Sequence, residues 1–122
     1  MRGAAIATEL LVAARRLGVY DTLLAELGAS QAAQFASASR SVPRVPSVAH
    51  RWTGEMEEIA KTFADLGLTP RIFEGVAALY RAVASTELGR ERPETRDLSR
   101  GLDDTVDALA RVIGASTRAA HD

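Results

Sequence analysis

The sequence predicts an all-α fold, a compact bundle of about five helices, and three observations carry that reading. Aromatic residues make up only 5 % of the 122 residues, so the core must be built from Leu, Val, Ile and a great deal of Ala. Ala has the best helix propensity, and its small side chain lets helices approach closely. Apolar residues recur at three- and four-residue steps in several segments, as on one face of a helix, and no segment shows the two-residue alternation of a strand. A chain of this length buries roughly two-thirds of the surface its unfolded form exposes, and residues 1–122 are read as a single helical domain.

The first helix is expected over residues 3–17, with Ile6, Leu10, Ala13, Ala14 and Leu17 on one face. Ala4, Ala5, Ala7, Leu11 and Val12 fill most of its other sides. A helix apolar nearly all round is normally covered on several sides, which in so small a protein points to a second chain or another domain, and hence to dimerisation through helix packing. Gly18 closes this helix, and residues 19–27 form a second, with Asp21 in the first turn where a carboxylate suits the helix dipole. Residues 29–39 read as a further short helix. Residues 40–46, with Pro43 and Pro46, read as a loop and as the hinge between two helical halves.

The cleanest pattern runs from Ser47 to Leu66. Val48, Trp52, Met56, Ile59, Phe63 and Leu66 recur at steps of 4, 4, 3, 4 and 3. Arg51–Glu55 and Glu57–Lys61 are expected as ion pairs one turn apart on the outer surface. Gly67 ends the helix. Thr69 is expected to cap the next one, with Pro70 at the first position, where its missing N–H costs nothing. The apolar stripe of that helix is Ile72, Phe73, Val76, Leu79, Tyr80 and Val83, and it fades by Thr86. Residues 87–97 read as a charged loop. Ser99 is expected to cap a last helix carrying Leu102, Val106, Leu109, Val112 and Ile113, and residues 117–122 are expected to fray.

Composition excludes several functions. The net charge is −1, whereas a nucleic-acid or anionic-membrane binder carries a basic excess. There is no Cys, so disulfides, thiol catalysis and thiolate metal sites are absent. No apolar run approaches the roughly 18 residues of a membrane span, and Glu9 and Arg15–Arg16 interrupt the N-terminal apolar run before it forms a signal peptide. A cytoplasmic location is expected. The nine glycines are never closer than eight residues apart, so the chain has no Gly-x-Gly fingerprint and no phosphate-cradling loop. No metal site is expected either: His50 and His121 are far apart, and the i,i+3 pair Glu55/Glu58 reads better as a solvated face. Lys61, the single lysine, reads as the surface partner of Glu57.

The most distinctive stretch is His50-Arg51-Trp52-Thr53-Gly54-Glu55-Met56-Glu57-Glu58. Trp52 fits the buried stripe. Gly54 costs about 1 kcal/mol relative to Ala in a helix interior, which suggests close approach of another helix or a ligand. Arg51 and Glu55 lie on the adjoining face and are suited to hydrogen-bond a carboxylate or hydroxyl.

The segment RWTGEMEEIAKTFADLGLTPRIFEGVAALYRAVAST, from Arg51 to Thr86, resembles the C-terminal domain of NAD-binding phosphogluconate dehydrogenase-like proteins. The Arg-Trp-x-Gly-Glu-Met-Glu-Glu-Ile helix, the Leu-Gly-Leu-x-Pro turn and the Tyr80-Arg81 pair carry the likeness, and LGRERPETRDLSRGLDDTVDALA and GAAIATELLVAARRLGVYDTLLAEL are similar to its flanking parts. The resemblance implies a dehydrogenase related to the β-hydroxyacid dehydrogenases, in which a Rossmann domain binds NAD(P) and a helical domain closes the substrate cleft and dimerises. It also implies a catalytic lysine on the helix joining the two domains. Residue 1 falls about half-way along that helix, which places the nucleotide fold and the lysine segment before it; Lys61 is not at a matching position.

Three expectations follow. The chain is a stand-alone or split substrate and dimerisation domain, binding no cofactor alone and using NAD(P) only with a Rossmann-domain partner. Or it is a repurposed small-molecule-binding protein or cofactorless enzyme of the cyclase or isomerase type, with a ligand held among Arg51, Trp52, Glu55 and Tyr80. Or it is a structural dimerisation module. A homodimer is expected, with a Rossmann-domain subunit or a small-molecule ligand as further partner and no nucleic acid or membrane.

Overall fold

Glycine and proline set the helix boundaries of this chain. The computed structural model describes residues 2–113, and among them six α-helices follow one another: α1 (Arg2–Leu17), α2 (Tyr20–Ser30), α3 (Ala32–Ser41), α4 (Val45–Asp65), α5 (Arg71–Ala84) and α6 (Leu102–Val112). Tight 3-10 turns cover Val42–Arg44 and Glu87–Arg90. There is no strand among the described residues, and the expected fraying of residues 117–122 lies outside them.

Two helix ends share one device. Gly18 and Gly67 adopt positive φ, 78° and 77°. After α1, Val19 N–H donates to Ala14 C=O at 3.0 Å and Gly18 N–H to Arg15 C=O at 3.2 Å. After α4, Leu68 N–H donates to Phe63 C=O at 2.9 Å and Gly67 N–H to Ala64 C=O at 3.0 Å. Both are Schellman endings, in which a left-handed residue lets its own amide and the next one satisfy carbonyls of the last turn. The start of α5 corrects the expected cap: Pro70, not Thr69, is the N-cap residue, its C=O accepting the first helical bond from Glu74 N–H, and Thr69 precedes it, its Oγ1 accepting from Arg71 N–H at 3.2 Å.

The expected hinge is a correction. Residues 40–46 are helical or 3-10 throughout, and Val42, Pro43, Val45 and Pro46 are buried. Each proline occupies the first turn of its element, where no N–H is needed. Ser99 is a further correction: it does not cap α6. Its N–H and Oγ–H both donate to Asp97 Oδ1, at 2.9 and 2.5 Å, closing a turn, while α6 starts after Gly101.

α4 and α5 form an antiparallel pair with the most extensive interface in the fold, and α1 lies across α5 and α6. The main core joins Val12 of α1, Val45 and Met56 of α4, Tyr80 and Val83 of α5, and Leu109 of α6. A second cluster gathers Leu11, Tyr20, Val42 and Val106. The buried serine and threonine residues among those described are satisfied within their own turns, Thr8 by Ala4 C=O, Ser47 by Arg44 C=O and Thr105 by Gly101 C=O. Polar ties hold α6 to the start of the chain. Tyr20 O–H donates to Asp103 Oδ1 at 2.8 Å, and the Arg16 guanidinium donates to the Ala110 and Ile113 carbonyls at the α6 C-terminus, where positive charge is favoured.

The first helix divides its apolar residues between the core and the outside. Ala4, Ala5, Thr8, Leu11, Val12 and Ala14 are buried, while Ile6, Leu10 and Leu17 are 60, 47 and 76 % exposed. Ala4, Ala5, Thr8 and Ala14 let α1 pack closely on its neighbours, Leu11 and Val12 fill the two cores, and Ile6, Leu10 and Leu17 are left outside.

Candidate functional site

The α4 cluster singled out by the sequence divides in space. Trp52 and Tyr80 meet with ring centroids 5.5 Å apart, tilted by 58°. Tyr80 is fully buried, and burial pushes its hydroxyl pKa up to about 12. Trp52 is half-buried, while Arg51 and Glu55 are exposed on α4. The structure thus brings Trp52 and Tyr80 together in the core between α4 and α5 and leaves the two charged residues on the outer surface.

The expected ion pairs are corrected too. Among the described residues, Glu57 pairs with Arg81 of α5 rather than with Lys61, and no ion pair joins Arg51 to Glu55. A contact between helices replaces one along a helix, because the α4–α5 packing carries Arg81 to Glu57. Nothing approaches Gly54: a Cβ built there meets open space, so no part of the chain accounts for this glycine.

Chemistry of a catalytic kind needs a nucleophile next to a base, or clustered ligands. The helix hydroxyls of Ser30, Ser39, Thr53 and Thr62 instead donate to backbone carbonyls one turn back. His50 is exposed, its pKa held below the ordinary value by desolvation and by the Arg92 and Arg51 charges. Among the described residues no three His, Cys, Asp or Glu side chains converge as a metal site would need, and no helix is long and apolar enough to cross a membrane. Nor do the glycines offer a phosphate cradle. Gly18 and Gly67 bend the chain at helix C-termini, the negative end of the dipole, which repels an anion.

Concave apolar surface lies on either side of α1. One groove, about 430 Å³, runs between α1 and α5. Its α5 wall is small, with Gly75, Ala78 and Ala82, and its rim carries Ile6, Ile72 and Ile113, with Glu9 the single charged residue lining it. The other, about 510 Å³, separates α1 from α3. Leu10, Leu11, Leu27, Phe35 and Trp52 line it with apolar surface, Gln31, Gln34, Ser37 and Ser41 with neutral polar groups, and Arg44 with the single charge. Ile6 borders both, so α1 presents an apolar ridge between two grooves.

The family described as a domain of unknown function, DUF1932, matches residues 14–83, more than half of the chain. The chain belongs to the DUF1932 family. It matches no curated protein and no solved structure. The DUF1932 match takes in the end of α1, all of α2 to α4, and α5 up to Val83. It therefore includes Phe35, Arg44 and Trp52 of the α1–α3 cleft, and the α5 wall of the other groove.

Of the four residues that the sequence offered for a ligand, Arg51, Trp52, Glu55 and Tyr80, Trp52 alone lines one of these grooves. Arg44 and Phe35 were missed. One signal was available: Phe35 is the one large apolar residue in the Ala- and Ser-rich stretch 29–39, so a helix there could bury nothing else of size.

Proposed function

We propose that this chain is the helical substrate and dimerisation domain of an NAD(P)-dependent oxidoreductase of the phosphogluconate dehydrogenase-like type, with the dinucleotide held by a Rossmann unit outside these residues. The reading is supported most by a coincidence in the sequence. The DUF1932 match, residues 14–83, overlaps the Arg51–Thr86 stretch that resembles the C-terminal domain of those dehydrogenases. The all-helical architecture is compatible with it, and the exposed apolar ridge of Ile6, Leu10 and Leu17 is surface that a second subunit or domain would cover. Hydride transfer belongs to the cofactor, and this chain would supply walls, closure and the dimer contact.

Two measurements test the reading. The purified chain is expected to show no stoichiometric uptake of NADH or NADPH by calorimetry, and a partner with a dinucleotide-binding fingerprint is expected to restore it in a stable complex. Tight uptake by the 122-residue chain itself would sink the proposal. For the homodimer, light scattering on the wild type is expected to give twice 13.0 kDa. The variant Ile6→Glu/Leu10→Glu is expected to be monomeric with unchanged helicity, because both side chains are exposed within one subunit.

A second reading, a small-molecule-binding protein or cofactorless enzyme, is favoured by one observation. The α1–α3 cleft has the size of a ligand site, within the roughly 300–1,000 Å³ such sites occupy, and is formed by this chain alone.

A further inference from the structure

Helix α3 is only lightly packed on the domain. None of its residues is fully buried: Ala38 rests against the Leu11–Val42–Val106 cluster, while the half-buried Phe35 lines the cleft. A ten-residue helix with so little burial gains little from tertiary packing, which is where most helix stability in proteins comes from. An apolar guest between α1 and α3 would supply the missing contact.

The lining says what kind of guest. Leu10, Leu27, Phe35 and Trp52 offer an apolar bed, and Gln34 and Ser41 offer neutral hydrogen-bonding groups. No carboxylate lines the cleft, so a cation has no partner there. Arg44 is the single charged residue in the lining and stands exposed at its edge. Among the described residues its guanidinium makes no ion pair. A guanidinium matches a carboxylate bidentately, and one such fork suits a monoanion rather than a polyphosphate. Size argues against a protein helix as occupant. A helix about 10 Å across fills 510 Å³ in little more than one turn, too short a contact to seat one.

We propose that the α1–α3 cleft binds a small amphipathic monoacid, its aliphatic or aromatic body between Leu10, Leu27, Phe35 and Trp52 and its carboxylate on Arg44. The site requires no cofactor; it shares Ile6 and Leu10 with the ridge proposed for dimerisation, so it rests on a dimer contact that leaves the cleft side of that ridge open.

The test uses the full chain and two probes of matched length, decanoate and decanol, each kept below its self-association concentration. Calorimetry and the emission of Trp52 report binding. Decanoate is expected to saturate one site, to shift Trp52 emission, and to bind about tenfold more tightly than decanol, the weight of one charge-assisted contact. Arg44→Gln is expected to bring decanoate down to the affinity of decanol; the side chain is exposed, so the variant keeps its fold. Ala38→Trp is expected to fill the cleft and abolish calorimetric binding of both probes. Absence of saturable binding to the folded wild type overturns the proposal. So does equal affinity for acid and alcohol, or an Arg44→Gln variant that still prefers the acid. Occupancy by a partner helix would appear as the second of these outcomes, apolar binding indifferent to charge.

Discussion

Gly54 lies on the exposed side of α4 with open space where a Cβ would go. Gly54→Ala is therefore expected to raise the stability of the isolated chain by about 1 kcal/mol, read from the urea midpoint. If the same change weakens self-association in light scattering, a second subunit is what approaches that glycine. Gly89 behaves oppositely, since a Cβ there would fall 2.3 Å from Ala84 C=O, a backbone atom that cannot swing aside. Glu91 carries a pH-dependent contribution. Its hydrogen bonds from Arg100 hold its carboxyl below the ordinary value of 4.5. A depressed folded-state pKa means the stabilisation is complete above the unfolded value and is lost as pH falls through the folded one. Urea midpoints of wild type and Glu91→Gln are expected to differ at neutral pH, by about 1 kcal/mol in free energy, and to converge below pH 4.5. None of these pairings was legible in the sequence. Glu91 and Arg100 are nine residues apart in a loop, where no helical spacing predicts a meeting.

At the scale of elements, the helices were legible because the period of three and four is written in large apolar residues, as in Val48, Trp52 and Met56 of α4. The 40–46 segment was not, because proline signals a break only when the pattern before it needs an N–H at that point. Here Pro43 and Pro46 each open a new element and lie buried between two cores. The expected consequence is rigidity where a hinge was anticipated. Val45→Ala is expected to cost about 2 kcal/mol, and amides from Val45 to Ala49 to exchange only by global unfolding. Helix α3, with no buried residue, is expected to exchange through local opening at far lower free energy. Hydrogen exchange followed by mass spectrometry separates the two, and uniform protection across both segments would contradict this account.

At the scale of the whole molecule, the facing of α1 shows what a stripe of large residues leaves unsaid. Ile6, Leu10 and Leu17 form a helical face as read, but the close approach of α1 to its neighbours selects Ala4, Ala5 and Thr8 for the inside. Which arc turns inward depends on the distance between helices, and that is a property of the assembled fold. The grooves were illegible for the same reason, since the α1–α3 cleft depends on how lightly α3 meets α1 in the assembled fold. Trp52 alone hinted at it.

The clasp of α6 onto the first two helices sets an order in time. Arg16 reaches carbonyls 94 and 97 residues away, and Tyr20 reaches Asp103 across 83, whereas α4 and α5 meet through a short turn. Closing a long loop costs entropy before any contact repays it, so the α4–α5 hairpin is expected to assemble early and α6 to dock last. In stopped-flow experiments, Met56→Ala should slow refolding, while Tyr20→Phe should leave refolding nearly unchanged and hasten unfolding.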